Sequence, residues 1–133
     1  LRDCLIKRKL QMTKLAKDFP NDVKYSDDVD EHFTIKSQIL IKEWTHVPIF
    51  VFFKKADNLG VNTELKYMCD LLLDKSSYSS VFFEATMDIS TLVKGSIKIA
   101  KVSYETFECD EELCNLSYGH CIKILDRLFY YLI

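Results

Sequence analysis

The chain has 133 residues and a mass of 15.6 kDa, enough for one domain, and its 48% hydrophobic and 29% charged residues describe a folded protein rather than a disordered one. Eighteen Lys and Arg against 20 Asp and Glu leave a formal net charge of -2, which gives no overall basic footprint for nucleic acid or an anionic membrane. Three Gly and 2 Pro supply few tight turns, which disfavours a barrel or sandwich of many short strands and directs the reading toward helices.

Leu1, Leu5, Met12, Leu15, Ala16 and Phe19 recur at helical spacing and Pro20 supplies a stop, so residues 1–18 are predicted as an amphipathic helix. Ser26 can cap a second helix, with Asp27 and Asp28 in its first turn and Val29, Phe33, Leu40 and Trp44 on one face, ending before Pro48. Val47 to Phe53 (VPIFVFF) is a short apolar run that suits either a buried strand or a buried helix; we read it as a helix begun by Pro48. Asp57, Asn58 and Gly60 make a turn, and Asn62 then caps a helix in which Leu65, Met68, Cys69 and Leu72 share a face. Ser76 to Ser80 read as a polar loop.

From Val81 to Phe107 the apolar residues Phe82, Ala85, Ile89, Val93, Ala100, Tyr104 and Phe107 advance by threes and fours or their sum, which predicts a helix with a possible kink at Gly95. Asp110 to Glu112 suit the first turn of a last helix whose face is Cys114, Tyr118, Cys121, Leu125, Leu128 and Leu132, with Gly119 as a point of division. The expected fold is all-α, one compact bundle of five to seven helices over residues 1–133. The absence of an initiator Met and the apolar run at the end lead us to expect a piece excised from a longer protein.

Five cysteines are an odd number set among apolar neighbours, which suits an intracellular, reducing compartment and leaves nuclear or cytoplasmic residence open. Cys109, Cys114, His120 and Cys121 are the best zinc candidates by residue type. Their spacing lacks the close ligand pairs of structural zinc sites, so no metal or other cofactor is expected. His32, His46 and His120 accompany no nucleophile signature, and Asp27/Asp28 and Glu111/Glu112 read as helix-start carboxylates, so no catalytic residues are assigned.

Val47 to Asp57 (VPIFVFFKKAD) resembles the strand and guanine-specificity loop of small GTPases, whose pattern is Asn-Lys-x-Asp, and Phe82 to Thr86 (FFEAT) is similar to their later base-binding segment. The resemblance implies an α/β fold in which Asp57 reads the guanine edge and the Lys55 stem covers the ring. Lys54 stands where the family has the Asn that ties the loop down, and the chain contains no G-x-x-x-x-G-K-[ST] phosphate loop.

These readings lead us to expect a non-catalytic protein-protein interaction or scaffold domain. The alternative is a degenerate, GTPase-like nucleotide-binding domain using Lys55 and Asp57. The expected partner is another protein, a second copy or the rest of the parent chain, not a membrane and not nucleic acid. Phe129, Tyr130 and Tyr131 are the candidate partner-binding residues, because the terminal run Leu128 to Ile133 is apolar on all sides of a helix.

Overall fold

The run VPIFVFF holds a strand over Ile49–Phe52 rather than the helix expected to begin at Pro48, and the strand belongs to a parallel sheet. The computed structural model describes residues 1–9, 38 and 40–129. Strands β1 (Ile49–Phe52), β2 (Ser80–Glu84) and β3 (Ser103–Phe107) lie in the order β1-β2-β3, all parallel, with Phe52 opposite Phe83 and Phe82 opposite Glu105. Helix α1 (Arg2–Lys9) and a π-helical turn (Leu40–Trp44) precede the sheet. Helices α2 (Leu59–Leu71) and α3 (Leu73–Ser76) connect β1 to β2, α4 (Thr91–Ala100) connects β2 to β3, and α5 (Asp110–Phe129) follows. The fold is therefore mixed α/β, and the expected all-α bundle is wrong.

Side-chain alternation along the strands separates two cores. On one face Phe50, Phe52, Val81 and Phe83 pack with Leu65, Met68 and Cys69 of α2, Val93 and Ile97 of α4, and Ile41 and Val102. On the other, Phe82 packs with Phe107 and Leu113, and Ile49, Val51 and Leu116 close around them. A parallel strand covered on both faces reads as an unbroken apolar run rather than an alternating one, which is why the sequences of β1 and β2 carry no strand period.

The helix predicted over Val81 to Phe107 is replaced by strand, loop, helix and strand. Only Thr91–Ala100 is helical, and Ser90 caps it by accepting from the Val93 N–H at 3.2 Å. Tyr104, expected on the same buried face as Phe107, points to the opposite face of β3, as strand neighbours an odd number apart do, and it is 62% exposed there, β3 being last in the strand order. The polar loop predicted over Ser76 to Ser80 instead ends α3, turns and begins β2, and Ser76, Ser79 and Ser80 are buried.

Other expectations hold in part. The predicted face Leu65, Met68 and Cys69 is buried, in a helix that begins at Leu59 rather than at an Asn62 cap. The last helix starts at Asp110 with three carboxylates in its first turn and runs through Gly119 undivided. Its buried residues are Leu113, Cys114, Ser117 and Ile124, so the face is rotated from the predicted one. Leu5 of α1 is buried. The remainder of the first predicted helix, and most of the second, lie outside the described residues.

Cys4 of α1 and Cys114 of α5 form a disulfide with Cα atoms 6.4 Å apart. This departs from the expectation of cysteines kept reduced. The Arg8 guanidinium sits 4.7 Å from the centre of the Tyr118 ring, one turn further along both helices. Among the described residues, no helix is long and apolar enough to cross a membrane.

Candidate functional site

In an open parallel sheet the loops leaving the carboxyl ends of the strands form the usual ligand edge, since helix N-termini and backbone amides gather there. Here β1 and β2 pair in register through Phe52 and Phe83, so the loop Phe53 to Asn58 and the loop Ala85 to Ser90 emerge side by side. Ala85 N–H donates to the Phe107 carbonyl at 2.8 Å, holding the second loop to the end of β3 as well. Phe53 meets the Phe107 ring edge-on, with centroids 5.7 Å apart.

The two loops are tied together by Lys54. Its backbone N–H donates to the Glu84 carboxylate at 2.5 Å, and its ammonium donates to Thr86 Oγ1 at 2.9 Å. The first loop is also closed on itself. Asn58 Oδ1 accepts from the Phe53 N–H at 3.2 Å while Asn58 Nδ2 donates to the Phe53 carbonyl at 2.9 Å. With both ends of its amide engaged there, Asn58 caps α2 by position alone and makes no side-chain cap bond. Asp57 Oδ1 accepts from the Leu59 N–H at 3.0 Å, an Asx turn that fixes the carboxylate beside the start of α2.

Thr86 has φ 67°. A β-branched residue in the left-handed region costs about 1–3 kcal/mol and persists where its surroundings over-determine it, which is a mark of binding loops. Its hydroxyl is the one that Lys54 grips.

The two nucleotide-site candidates from the sequence, Lys55 and Asp57, are thus exposed on one loop, and the FFEAT segment stands beside that loop. Sequence reasoning places Asn58 only in a turn, Lys54 only as a departure from the family's Asn, and Glu84 and Thr86 only within the FFEAT segment, and names none of the four as a site residue. The signal was present in the paired segments KKAD and FFEAT, but only adjacent parallel strands reveal that they meet. Of the partner-binding candidates, Phe129 is the last residue of α5, and Tyr130 and Tyr131 lie outside the described residues.

Two of the metal candidates are engaged elsewhere: Cys114 is bonded to Cys4, and His120 Nε2 lies 3.0 Å from the Tyr78 carbonyl. Among the described residues no three His, Cys, Asp or Glu side chains come together as a metal site. No family model matches the chain, and no significant match is found to a curated protein or to a solved structure.

Proposed function

We propose that the domain is a non-catalytic, degenerate nucleotide-binding module that takes a guanine-type base at the carboxyl edge of its sheet. The observation that carries this reading is the cross-loop bridge from Lys54 to Glu84 and Thr86, which joins the KKAD loop to the FFEAT segment. In small GTPases, which these segments resemble, the Asn of the specificity loop does the tying. Here the task is divided: Lys54 joins the loops and Asn58 closes the first one. The Asp57 carboxylate, with one oxygen free and the other accepting a single N–H, can accept from the two adjacent donors on the guanine edge, and the Lys55 stem can lie along the ring.

Hydrolysis is not part of the proposal. The chain has no G-x-x-x-x-G-K-[ST] loop; its Lys-Ser pairs, Lys36-Ser37 and Lys75-Ser76, follow no glycine-rich turn whose backbone amides could cradle phosphates beside a magnesium-binding hydroxyl.

Thermal shift with millimolar GDP tests the reading. A ligand that binds only the folded state at about a hundredfold excess over Kd adds about 2.7 kcal/mol, a rise of several degrees in Tm for a domain of this size. The rise should vanish in Asp57→Ala and be smaller with ADP, whose ring presents an acceptor where guanine has a donor. No response of the native chain to GDP sinks the proposal.

A second reading, that the domain also binds another protein, is favoured by the exposure of Leu92 at 80% and Ile99 at 83%. An intracellular, reducing location is retained as part of the proposal and is in direct tension with the Cys4–Cys114 disulfide. Alkylation of the chain in cell extract before any reductant is added decides it: all five cysteines modified supports a reducing location, and a blocked Cys4 and Cys114 excludes it.

A further inference from the structure

Helix α4 buries one stripe and leaves a second one bare. Val93 and Ile97 enter the core and Ala100 packs against it, whereas Leu92 and Ile99, two turns apart on another side, are 80% and 83% exposed. Between them lies Gly95, where an added Cβ would meet nothing within 4 Å. Two large apolar ends with a dip between them form a surface that another helix can enter closely.

The flank of this stripe is basic. Lys94, Lys98 and Lys101 are exposed, and residues 89–101 contain no Asp or Glu. Among the described residues none of the three lysines has a carboxylate partner.

We propose that the Leu92–Ile99 face of α4 docks an amphipathic helix of another protein, one with carboxylates beside its apolar stripe. The inference rests on the protein-binding reading and adds the chemistry of the partner. Charge selects this occupant over a second copy, since α4 packed on its twin would set Lys94 and Lys98 against the same lysines. A membrane surface is a poorer fit. An interfacial helix needs a continuous apolar face, usually with Trp or Phe, and α4 offers two residues and a gap.

The test uses a fluorescent designed peptide of about 20 residues, long enough to be helical, with leucines on one stripe and glutamates on its flanks; a control peptide carries lysines in place of the glutamates. Fluorescence anisotropy should show the Glu peptide binding at least about tenfold more tightly than the Lys peptide, with affinity falling as salt rises. Leu92→Asp with Ile99→Asp should abolish binding while Tm stays nearly unchanged, because both side chains are in solvent. Gly95→Gln should also abolish it by filling the dip, with Tm held or raised, since glutamine is the better helix former.

Equal binding of both peptides through Leu92 and Ile99 overturns the acidic partner and leaves a protein-docking face. Binding indifferent to all three substitutions, or absent, overturns the docking site. So does sedimentation of the chain with anionic vesicles, or self-association in the ultracentrifuge, that Leu92→Asp relieves.

Discussion

His120 carries the clearest pH dependence among the described side chains. Burial holds its pKa below 6.5; the bond to the Tyr78 carbonyl and Glu105 oppose that shift, and Lys123 and Arg127 add to it. The neutral ring donates Nε2–H to Tyr78 O, and the adjacent Arg127 guanidinium donates to Ser77 O at 3.2 Å, so one side of α5 holds the turn before β2. With the folded pKa depressed, the unfolded chain binds more protons as pH falls through the unfolded value, and this stabilisation is present above that value and lost below it. Urea midpoints should therefore drop between about pH 7.5 and 5.5, and His120→Gln, which keeps a donor, should reduce that drop. An unchanged pH profile in the variant would show that other groups set it. Cys69 is moved in the opposite sense: burial, with Asp70 beside it, pushes its thiol up to about 11, so it stays protonated and unreactive.

At the scale of elements, the central strand decides the fold. Every residue of β2 from Ser80 to Phe83 is buried, with Val81 and Phe83 serving one core and Phe82 the other. Phe83 stacks on Phe52 with ring centroids 5.0 Å apart. Truncation of Phe83 to Ala should cost about 3–5 kcal/mol, a cavity in a close-packed site. Tyr104→Ala, on the exposed side of β3, should change stability by no more than about 0.5 kcal/mol. Equilibrium urea unfolding of the two variants separates this fold from the helical one, whose buried face includes Tyr104 but not Phe83, so that the order of the two costs would be reversed.

At the scale of the molecule, sequence-distant ends are joined. The Cys4–Cys114 bond spans a sequence separation of 110 residues and fastens α1 to α5. On the chain-entropy account, closing a loop of about this length stabilises by about 4–5 kcal/mol, through the unfolded state. Cys4→Ser should lower the urea midpoint of the oxidised protein by a corresponding amount, and reductant should lower the native chain to the same level while leaving the variant unmoved. A variant that still responds to reductant would mean that a different pair is bonded. Neither cysteine belongs to the Lys54–Glu84–Thr86 bridge, so the proposed response to GDP should persist when the bond is cut.

Local chemistry was legible wherever an element is amphipathic on its own. Helix α2 buries the predicted Leu65, Met68 and Cys69, and α5 begins at the acidic turn that its dipole favours, because in both cases one stripe meets the core and the helical period survives in the sequence. β1 and β2 left no such trace. Parallel strands covered on both faces need apolar residues at every position, and across β2, a loop, α4 and β3 the spacing of Phe82, Ala85, Ile89, Val93 and Ala100 imitated one helix. The KKAD and FFEAT segments could be picked out by resemblance. Their contact through Lys54, Glu84 and Thr86 could not be read from sequence, since it exists only because β1 and β2 are neighbours in one sheet. Sheet pairing is a long-range choice made by two buried faces at once, and it was the tertiary structure that turned two separate short motifs into one edge.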